Sequence, residues 1–364
     1  MKKLLAFAGI LLALGMGSAF AKKASDENKV KVVTTIFPEY DWVKEIVGEK
    51  ADDVELTLLL NNGVDLHSYQ PSVKDIAKIQ EADIFVYVGG ESDEWVEDVL
   101  KNVKSPNQKV INLLEVLGDK VKAEEIVEGM EHEHHHKHGH DDHDGDHHDE
   151  HGHDHDEHGH EHDAHDGHHD EHGHDEHEHH HDHEDEEKDE HVWLSLRFAK
   201  VLCGAICDAL CQADSKNAEV YKKNLASYNA KLSDLDSKYE AAVKAASKNT
   251  LVFGDRFPFR YMVDDYELKY YAAFTGCSAE SEASFKTIAF LSEKVNELDL
   301  QRVCQIESGN GKIAKTIISN SKNKKAKVLT FDSLQSTRAK QIKKGATYCG
   351  AMEKNLEVLK EALR

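Results

Sequence analysis

The segment from residue 131 to 190 limits most strongly how this chain can fold. Its 60 residues comprise 25 histidines, 26 acidic residues, two lysines, six glycines and one alanine. Such a composition has no apolar periodicity and cannot bury enough surface to offset its conformational entropy. We therefore expect this histidine-rich tract to be disordered without metal, so that the globular fold is built from the residues on either side.

The tract also carries the net charge of the chain. The whole chain has a formal net charge of −24, and outside residues 131–190 the 43 acidic residues are balanced by 43 basic ones. A balanced body offers no basic field that would attract nucleic acid or anionic lipid. No nucleic-acid partner is predicted.

The first residues are typical of an export signal. Lys2 and Lys3 precede an apolar run that ends in Ala19-Phe20-Ala21, which predicts a cleavable signal peptide over residues 1–21. A membrane helix needs about 20 apolar residues, and no later run is that long. No cysteine lies near the cleavage site. We expect a periplasmic protein without direct membrane insertion and without a lipid anchor.

Short apolar runs alternate with amphipathic helical segments on both sides of the tract. Nearly continuous apolar strands separated by helices predict parallel sheets covered on both faces. We expect an α/β fold with two similar lobes, at residues 29–130 and 248–364. The predicted strands are 30–35, 54–60, 84–88 and 110–112 in the first lobe, and 250–253, 269–273, 303–306 and 328–331 in the second.

A single long helix is predicted within residues 191–247. Its apolar residues are spaced alternately four and three positions apart, which is typical of one buried helix face; they are Tyr221, Leu225, Tyr228, Leu232, Leu235, Tyr239 and Ala242. A helix over 218–246 is roughly 40 Å long, enough to join two lobes rigidly. The cleft between the lobes is then the expected place for a ligand.

Two of the 27 histidines, His67 and His191, lie outside the tract. His67 follows the predicted strand 54–60 through a glycine-containing loop, at the carboxyl end where a cleft ligand belongs. His191 lies between the tract and a helix that begins near Ser195. Either histidine alone could be a surface residue without a role. Together we predict that they are the specific metal ligands, and that the redundant tract is the accessory.

Three motifs indicate a family. Residues 65–71 read Asp-Leu-His-Ser-Tyr-Gln-Pro, residues 189–195 read Asp-Glu-His-Val-Trp-Leu-Ser, and residues 331–334 read Phe-Asp-Ser-Leu. With the acidic histidine-rich loop between the first two, the mature chain resembles the solute-binding proteins of zinc and manganese ABC uptake transporters. The resemblance implies high-affinity zinc capture in the periplasm, delivery to a membrane permease, a monomeric protein and no enzymatic activity.

The resemblance also implies a ligand set. Matched to the family motifs, the metal ligands are His67, His191 and Asp332. The third family ligand lies in a segment like His-Asp-Ala-Phe-Gly-Tyr-Phe; matching this to residues 254–260 puts Gly254, which has no side chain, at the ligand position. We predict Asp255 as the replacement, with Glu307 or a water molecule as alternatives.

Ligand chemistry favours zinc. Imidazoles with a carboxylate suit tetrahedral zinc, whereas two imidazoles and two carboxylates also suit manganese. The tract of imidazoles favours zinc, and we expect it to collect the metal and pass it to the cleft at high effective concentration. The alternatives are a manganese- or nickel-binding solute-binding protein, or a zinc buffer or metallochaperone without a transporter. A zinc hydrolase is disfavoured because the chain has no HExxH, nucleophile elbow or phosphate-binding loop.

The six cysteines are too few for a disulfide framework. Cys203, Cys207 and Cys211 recur every four residues on a predicted helix. We interpret them as small buried hydrophobic residues, with a stripe of thiol ligands as the alternative. Whether Cys304 and Cys349 form a disulfide is left open by the sequence.

Overall fold

The computed structural model describes residues 29–104, 107–130, 187–278 and 282–364. The predicted signal peptide lies outside this part of the chain, and so do residues 131–186 of the predicted disordered tract.

The first lobe is a four-stranded parallel sheet in the order β2-β1-β3-β4. Its strands are β1 (Val30–Thr34), β2 (Val54–Leu58), β3 (Ile84–Tyr87) and β4 (Lys109–Asn112), and its helices are α1 (Phe37–Val47), α2 (Val73–Glu81), α3 (Trp95–Leu100) and α4 (Leu113–Leu117). The central strands are apolar along their length because helices cover both faces; Ile84, Phe85 and Val86 have no exposed surface.

Two consecutive helices follow residue 195. They are α5 (Leu196–Ala213) and α6 (Ala218–Ala245). Ser195 caps α5, because its hydroxyl accepts the N–H of Phe198. The 28-residue α6 buries one face, and it packs against α5, α1 and the last helix of the second lobe. It therefore contacts both lobes, which confirms the predicted long connecting helix.

The second lobe repeats the first. Its strands β5 (Thr250–Phe257), β6 (Lys269–Thr275), β7 (Arg302–Ile306) and β8 (Lys327–Phe331) form a parallel sheet in the order β6-β5-β7-β8. Its helices are α7 (Arg260–Asp265), α8 (Phe285–Glu297), α9 (Lys312–Asn320), α10 (Ala339–Lys343) and α11 (Tyr348–Ala362). The matching strand order confirms the prediction of two similar α/β lobes.

The lobes meet around Trp193, a fully buried side chain in the turn before α5. Its indole N–H donates to the carbonyl oxygen of Ser333 at 2.9 Å. The hydroxyl of Tyr348 donates to the carbonyl oxygen of Trp193 at 2.6 Å. Because both partners belong to the second lobe, the turn that follows His191 is fixed against that lobe.

All six cysteines lie in the described residues, and all are free thiols. Cys203 and Cys207 are buried on α5, in agreement with their interpretation as small hydrophobic residues. The thiols of Cys304 and Cys349 are not joined in a disulfide.

None of the helices in the described ranges is both long enough and apolar enough to cross a membrane.

Candidate metal site

A short 3₁₀ turn, Leu66–Ser68, positions His67 after β2. The carboxylate of Asp65 caps this turn by accepting the backbone N–H of His67 at 3.2 Å. On the ring, Nδ1 lies 2.7 Å from the hydroxyl oxygen of Ser92. The ring is thereby held with Nε2 directed away from this partner, which is the arrangement that an oriented metal ligand needs.

His191 is fully buried at the end of the segment that returns from the tract. One carboxylate oxygen of Asp189 accepts both its backbone N–H and its ring Nδ1–H, each at 2.9 Å. A carboxylate on Nδ1 fixes the tautomer that leaves the Nε2 lone pair for a metal.

The structure brings these two histidines together, although they are 124 residues apart in sequence. Their Nε2 atoms face each other at 3.1 Å. A tetrahedral zinc ion with Zn–N bonds of 2.0–2.1 Å would hold two ligand nitrogens about 3.3 Å apart. The pair is therefore close to the spacing at which both nitrogens bind one ion.

The two rings differ in their affinity for a proton. Burial and the neighbouring charge of His191 lower the pKa of His67 to about 3. Burial opposes protonation of His191 as well, but the carboxylates of Asp189 and Glu190 outweigh it and raise the pKa of His191. A metal ion needs the unprotonated form of each ring, so acid and metal compete for this position.

A third ligand atom lies beside the pair. In the described parts of the chain, one group of three histidine, cysteine or acidic residues has all its ligand atoms within 4.8 Å of one another, and it consists of His67, His191 and Cys277. The backbone N–H of Cys277 donates to Glu124 at 3.0 Å. Burial raises the pKa of this thiol well above its usual range.

The sequence motifs did not single out Cys277. A signal was available, because Cys277 lies four residues beyond the predicted strand 269–273 and His67 also lies in a loop after the carboxyl end of a strand.

The predicted carboxylate ligands lie elsewhere. One carboxylate oxygen of Asp332 accepts the backbone N–H of Leu334 at 2.9 Å. Burial raises the pKa of Asp332. The carboxylate of Asp255 accepts the N–H groups of Arg256 and Ile306 at 2.9 and 3.2 Å. Backbone N–H groups thus hold both side chains, and the structure brings neither to the histidine pair.

Glu307, the alternative ligand, also has other partners. Its carboxylate accepts the backbone N–H of Ser333 at 2.7 Å and the hydroxyls of Ser333 and Ser336 at 2.8 and 3.1 Å. It stabilises the loop after β8 and is not part of the convergent group.

Gly254 is not the open ligand position that the sequence match indicated. A Cβ atom at this residue would lie 2.5 Å from the Cα of Ala314, so the position faces α9 and has no room for a side chain. The pairing of β5 with β6 is irregular between Phe253 and Arg256. The shift leaves one extra residue on β5 relative to β6 in this stretch.

Arg256 is the residue of β5 that reaches the ligand loop. Its guanidinium donates to the carboxylate of Asp65 at 2.6 Å. A cationic side chain from β5 therefore lies beside the loop that carries His67.

A cavity of about 240 Å³ opens beside His67 and Cys277 and is rich in acidic residues. Its other lining residues are Glu91, Ser92, Glu124, Glu187, Lys188 and Glu190. Burial raises the pKa of Glu190 to about 7, and this carboxylate accepts the N–H of Ser92 at 2.9 Å. Four carboxyl groups around one small cavity favour a cation.

The last residues of the tract pair with the segment around residues 122–124 next to this cavity. The N–H of Glu124 donates to the carbonyl oxygen of Glu187 at 2.7 Å, and the N–H of Asp189 donates to that of Lys122 at 2.9 Å. The hydroxyl of Tyr261 accepts from Lys122 and donates to the carbonyl of Asp189. Residues 187–190, the end of the tract, therefore pack into the globular part of the chain beside the cavity.

Residues 32–362 match the family model described as "Zinc-uptake complex component A periplasmic", ZnuA. The chain belongs to the ZnuA family. This confirms the family resemblance read from the sequence motifs. This chain is 32% identical over 363 residues to the zinc-binding protein AdcA of Streptococcus pyogenes serotype M3, and the match covers 96% of this chain and 61% of AdcA. It is 30% identical over 355 residues to the high-affinity zinc uptake system protein ZnuA of Bacillus subtilis, covering 97% and 94% of the two chains.

The fold agrees with this family. The Zn(II)-bound ZnuA-like domain of Streptococcus pneumoniae AdcA superposes with a TM-score of 0.63 and 26% sequence identity, over 92% of this chain and 99% of that domain. The chain spans about 61% of the length of the AdcA relatives that it matches. By name, AdcA is a zinc-binding protein and the Bacillus subtilis relative is a protein of a zinc uptake system.

The comparisons correct one prediction. A relative from Streptococcus pneumoniae, 30% identical over 361 residues and covering 99% of this chain, is named a zinc-binding lipoprotein. The prediction of a periplasmic protein that is not a lipoprotein is therefore wrong. It relied on the lack of a cysteine near residue 21, and that local argument does not outweigh the relatives.

Proposed function

We propose that this chain captures zinc in the cleft between its two lobes and delivers it to the membrane permease of an ABC transporter. The observation that carries the proposal is the 3.1 Å separation of the Nε2 atoms of His67 and His191. Each ring has its Nδ1 held by a separate partner, so both lone pairs are directed to one point. The zinc-binding names of the relatives support the same metal.

The donor set favours zinc over manganese. Imidazole nitrogen suits zinc and its borderline neighbours, whereas manganese prefers carboxylate, carbonyl and water oxygens. In the described residues, the group of converging ligand atoms contains no carboxylate. Nickel also accepts imidazole ligands. The binding test therefore includes competition of zinc against nickel and manganese.

We further propose that the histidine-rich tract collects zinc for the cleft. Its 25 histidines provide many weak, exchangeable sites. Because Glu187, near the C-terminal end of the tract, lines the acidic cavity beside His67, zinc released at that end is close to the specific site. This proximity raises the effective concentration at the cleft without any new contact.

The binding step is tested on the full chain. Zinc-loaded protein is equilibrated with a chelator strong enough to strip the redundant tract, and the remaining zinc is counted by atomic emission. Wild-type protein should retain one ion per chain, and His67→Ala and His191→Ala should lose it. His180→Ala, which removes one tract histidine, is the matched control and should retain it. Retention of the ion by both cleft variants would refute the proposed site.

Delivery is a separate question, since a zinc buffer would also bind. A zinc-uptake ABC transporter, reconstituted in lipid vesicles, should hydrolyse ATP faster with the zinc-loaded chain than with free zinc at equal concentration. An equal response to free zinc would favour a buffer over a transport component.

A further inference from the structure

The loop after β6 places a sulfur ligand beside the histidine pair. Cys277 lies two residues beyond the last residue of β6, and its Sγ is within 4.8 Å of the ligand atoms of His67 and His191. We propose that Cys277 is the third metal ligand and that it binds as a thiolate, which makes this a two-histidine, one-cysteine site. The inference rests on the proposed capture of zinc and specifies which class of metal ion the cleft accepts.

The geometry requires little movement. Zn–S bonds of about 2.3 Å and Zn–N bonds of 2.0–2.1 Å put sulfur about 3.6 Å from each nitrogen in a tetrahedron. The three atoms already lie within 4.8 Å of one another, so each separation needs to close by little more than an ångström. The loop that makes this adjustment is tethered through the Cys277 N–H to Glu124.

The neighbouring glycine allows the close approach. A Cβ atom at Gly276 would lie 2.8 Å from Cε1 and 3.0 Å from Nδ1 of His191. With a larger residue there, the loop would push against the imidazole and could not bring Cys277 to it. The glycine-cysteine sequence therefore lets the backbone pass close to one ligand and present the next.

The position of Arg256 explains why a ligand from β6 is needed. Its guanidinium pairs with Asp65 and cannot bind a cation, so β5 contributes no ligand at this place. Cys277, in the loop after β6, the strand adjacent to β5 in the sheet, supplies one instead. A thiolate is a soft donor, which strengthens selection for zinc and softer ions against manganese.

The site loses one proton when it fills. The thiol S–H bond breaks, its electron pair forms the metal–sulfur bond, and the proton leaves to solvent. No oxidant or reductant takes part.

Cobalt(II) provides a direct readout on the full chain. Residues 131–190 contain no cysteine and no methionine, so the tract cannot produce a thiolate-to-cobalt charge-transfer band. Wild-type protein with one cobalt per chain should show this near-ultraviolet band. Cys277→Ser should lose it while visible cobalt absorption persists. Cys211→Ser, which changes a thiol on α5 whose contacts are Cys207 and Ala218, should keep it.

Zinc affinity gives a second measurement. Cys277→Ser should weaken tight zinc binding by more than the roughly tenfold to hundredfold that loss of an outer partner costs. Cobalt that binds tightly to wild-type protein without the band, or a band that survives in Cys277→Ser, would overturn the assignment of Cys277. Either result leaves zinc capture by His67 and His191 standing. If wild-type protein does not retain one tightly bound zinc ion per chain in the presence of the chelator, the proposed function itself is refuted.

Discussion

Arg256 in the second lobe donates to Asp65 in the first lobe at 2.6 Å, joining residues that are 191 apart in sequence. The side chains are 15% and 18% exposed. Burial would raise the pKa of Asp65, but the charge of Arg256 and the hydrogen bonds from Arg256 and from the His67 backbone outweigh it and hold that pKa below its usual value. Asp65 also accepts the N–H of His67. The loop that carries the first metal ligand is thus positioned by a charge from the opposite lobe.

Arg256→Ala should destabilise the protein. It leaves the Asp65 carboxylate largely buried without its cation, and breaking such a pair costs roughly 3 kcal/mol. The free energy of unfolding in urea, measured on metal-free protein, should fall by about this amount. A double-mutant cycle with Asp65→Asn isolates the pair, and strictly additive losses would show that the two residues are not coupled.

The secondary structure was largely predictable from the sequence. The strand expected at 84–88 is observed at Ile84–Tyr87, and the helix expected at 218–246 is observed at Ala218–Ala245. Both predictions succeed because burial on both sheet faces and on one helix face imposes a continuous or a 3.6-residue apolar pattern. The roles of His67 and His191 were predictable for a different reason. Because the sequence outside the tract contains two histidines, there were few candidates for a histidine ligand there.

The rest of the site was not predictable from spacing. The pairing of β5 with β6 shifts by one residue between Phe253 and Arg256, and Gly254 faces α9; a motif match at Gly254 could reveal neither. Asp255 and Asp332 have the right chemistry, but nearby backbone N–H groups hold their carboxylates. Local hydrogen bonding of this kind depends on coordinates and leaves no mark in residue type.

Asp189→Asn should weaken zinc binding without removing a ligand. The carboxylate accepts Nδ1–H of His191 at 2.9 Å, and loss of such an outer partner typically costs tenfold to about a hundredfold in metal affinity. Competition against a chromogenic chelator measures the change. Asp119→Asn, at an exposed residue after α4, is the control. Unchanged affinity in Asp189→Asn would mean that this carboxylate does not support the ligand.

Asp41 should make stability depend on pH. It is 1% exposed on α1, and its carboxylate accepts the N–H of Tyr348 at 2.7 Å. Burial raises its pKa from 3.8 to about 6. Between pH 3.8 and about pH 6, Asp41 holds a proton in the folded state that it has lost in the unfolded state. The contribution of Asp41 to stability is therefore complete below about pH 4 and declines as the pH rises to about 6.

Asp41→Asn removes this titration. Relative to wild type, the metal-free variant should gain roughly 1–3 kcal/mol in the free energy of unfolding between about pH 4 and pH 7. Urea unfolding at both pH values measures the difference, with Asp119→Asn as the surface control. A difference between Asp41→Asn and wild type that stays constant across this range would contradict the raised pKa.

Gly254→Ala should destabilise the protein, since its methyl group would lie 2.5 and 2.6 Å from the Cα and N of Ala314 and α9 would have to move. Overpacking of this kind costs about 1–3 kcal/mol. Gly204→Ala is the matched control, because nothing lies within 4 Å of its Cβ on α5; there the substitution should stabilise by roughly 0.5–1 kcal/mol. Urea unfolding compares the two variants.

The same contact decides between two interpretations of the missing ligand. If Gly254 were a vacant position in the metal site, Gly254→His would strengthen zinc binding at little cost in stability. Because the position faces α9, we expect this variant to lose stability at least as much as Gly254→Ala and to gain no zinc affinity. Tighter zinc binding by Gly254→His would show that β5 can direct residue 254 into the cleft, and would return the third ligand to that strand.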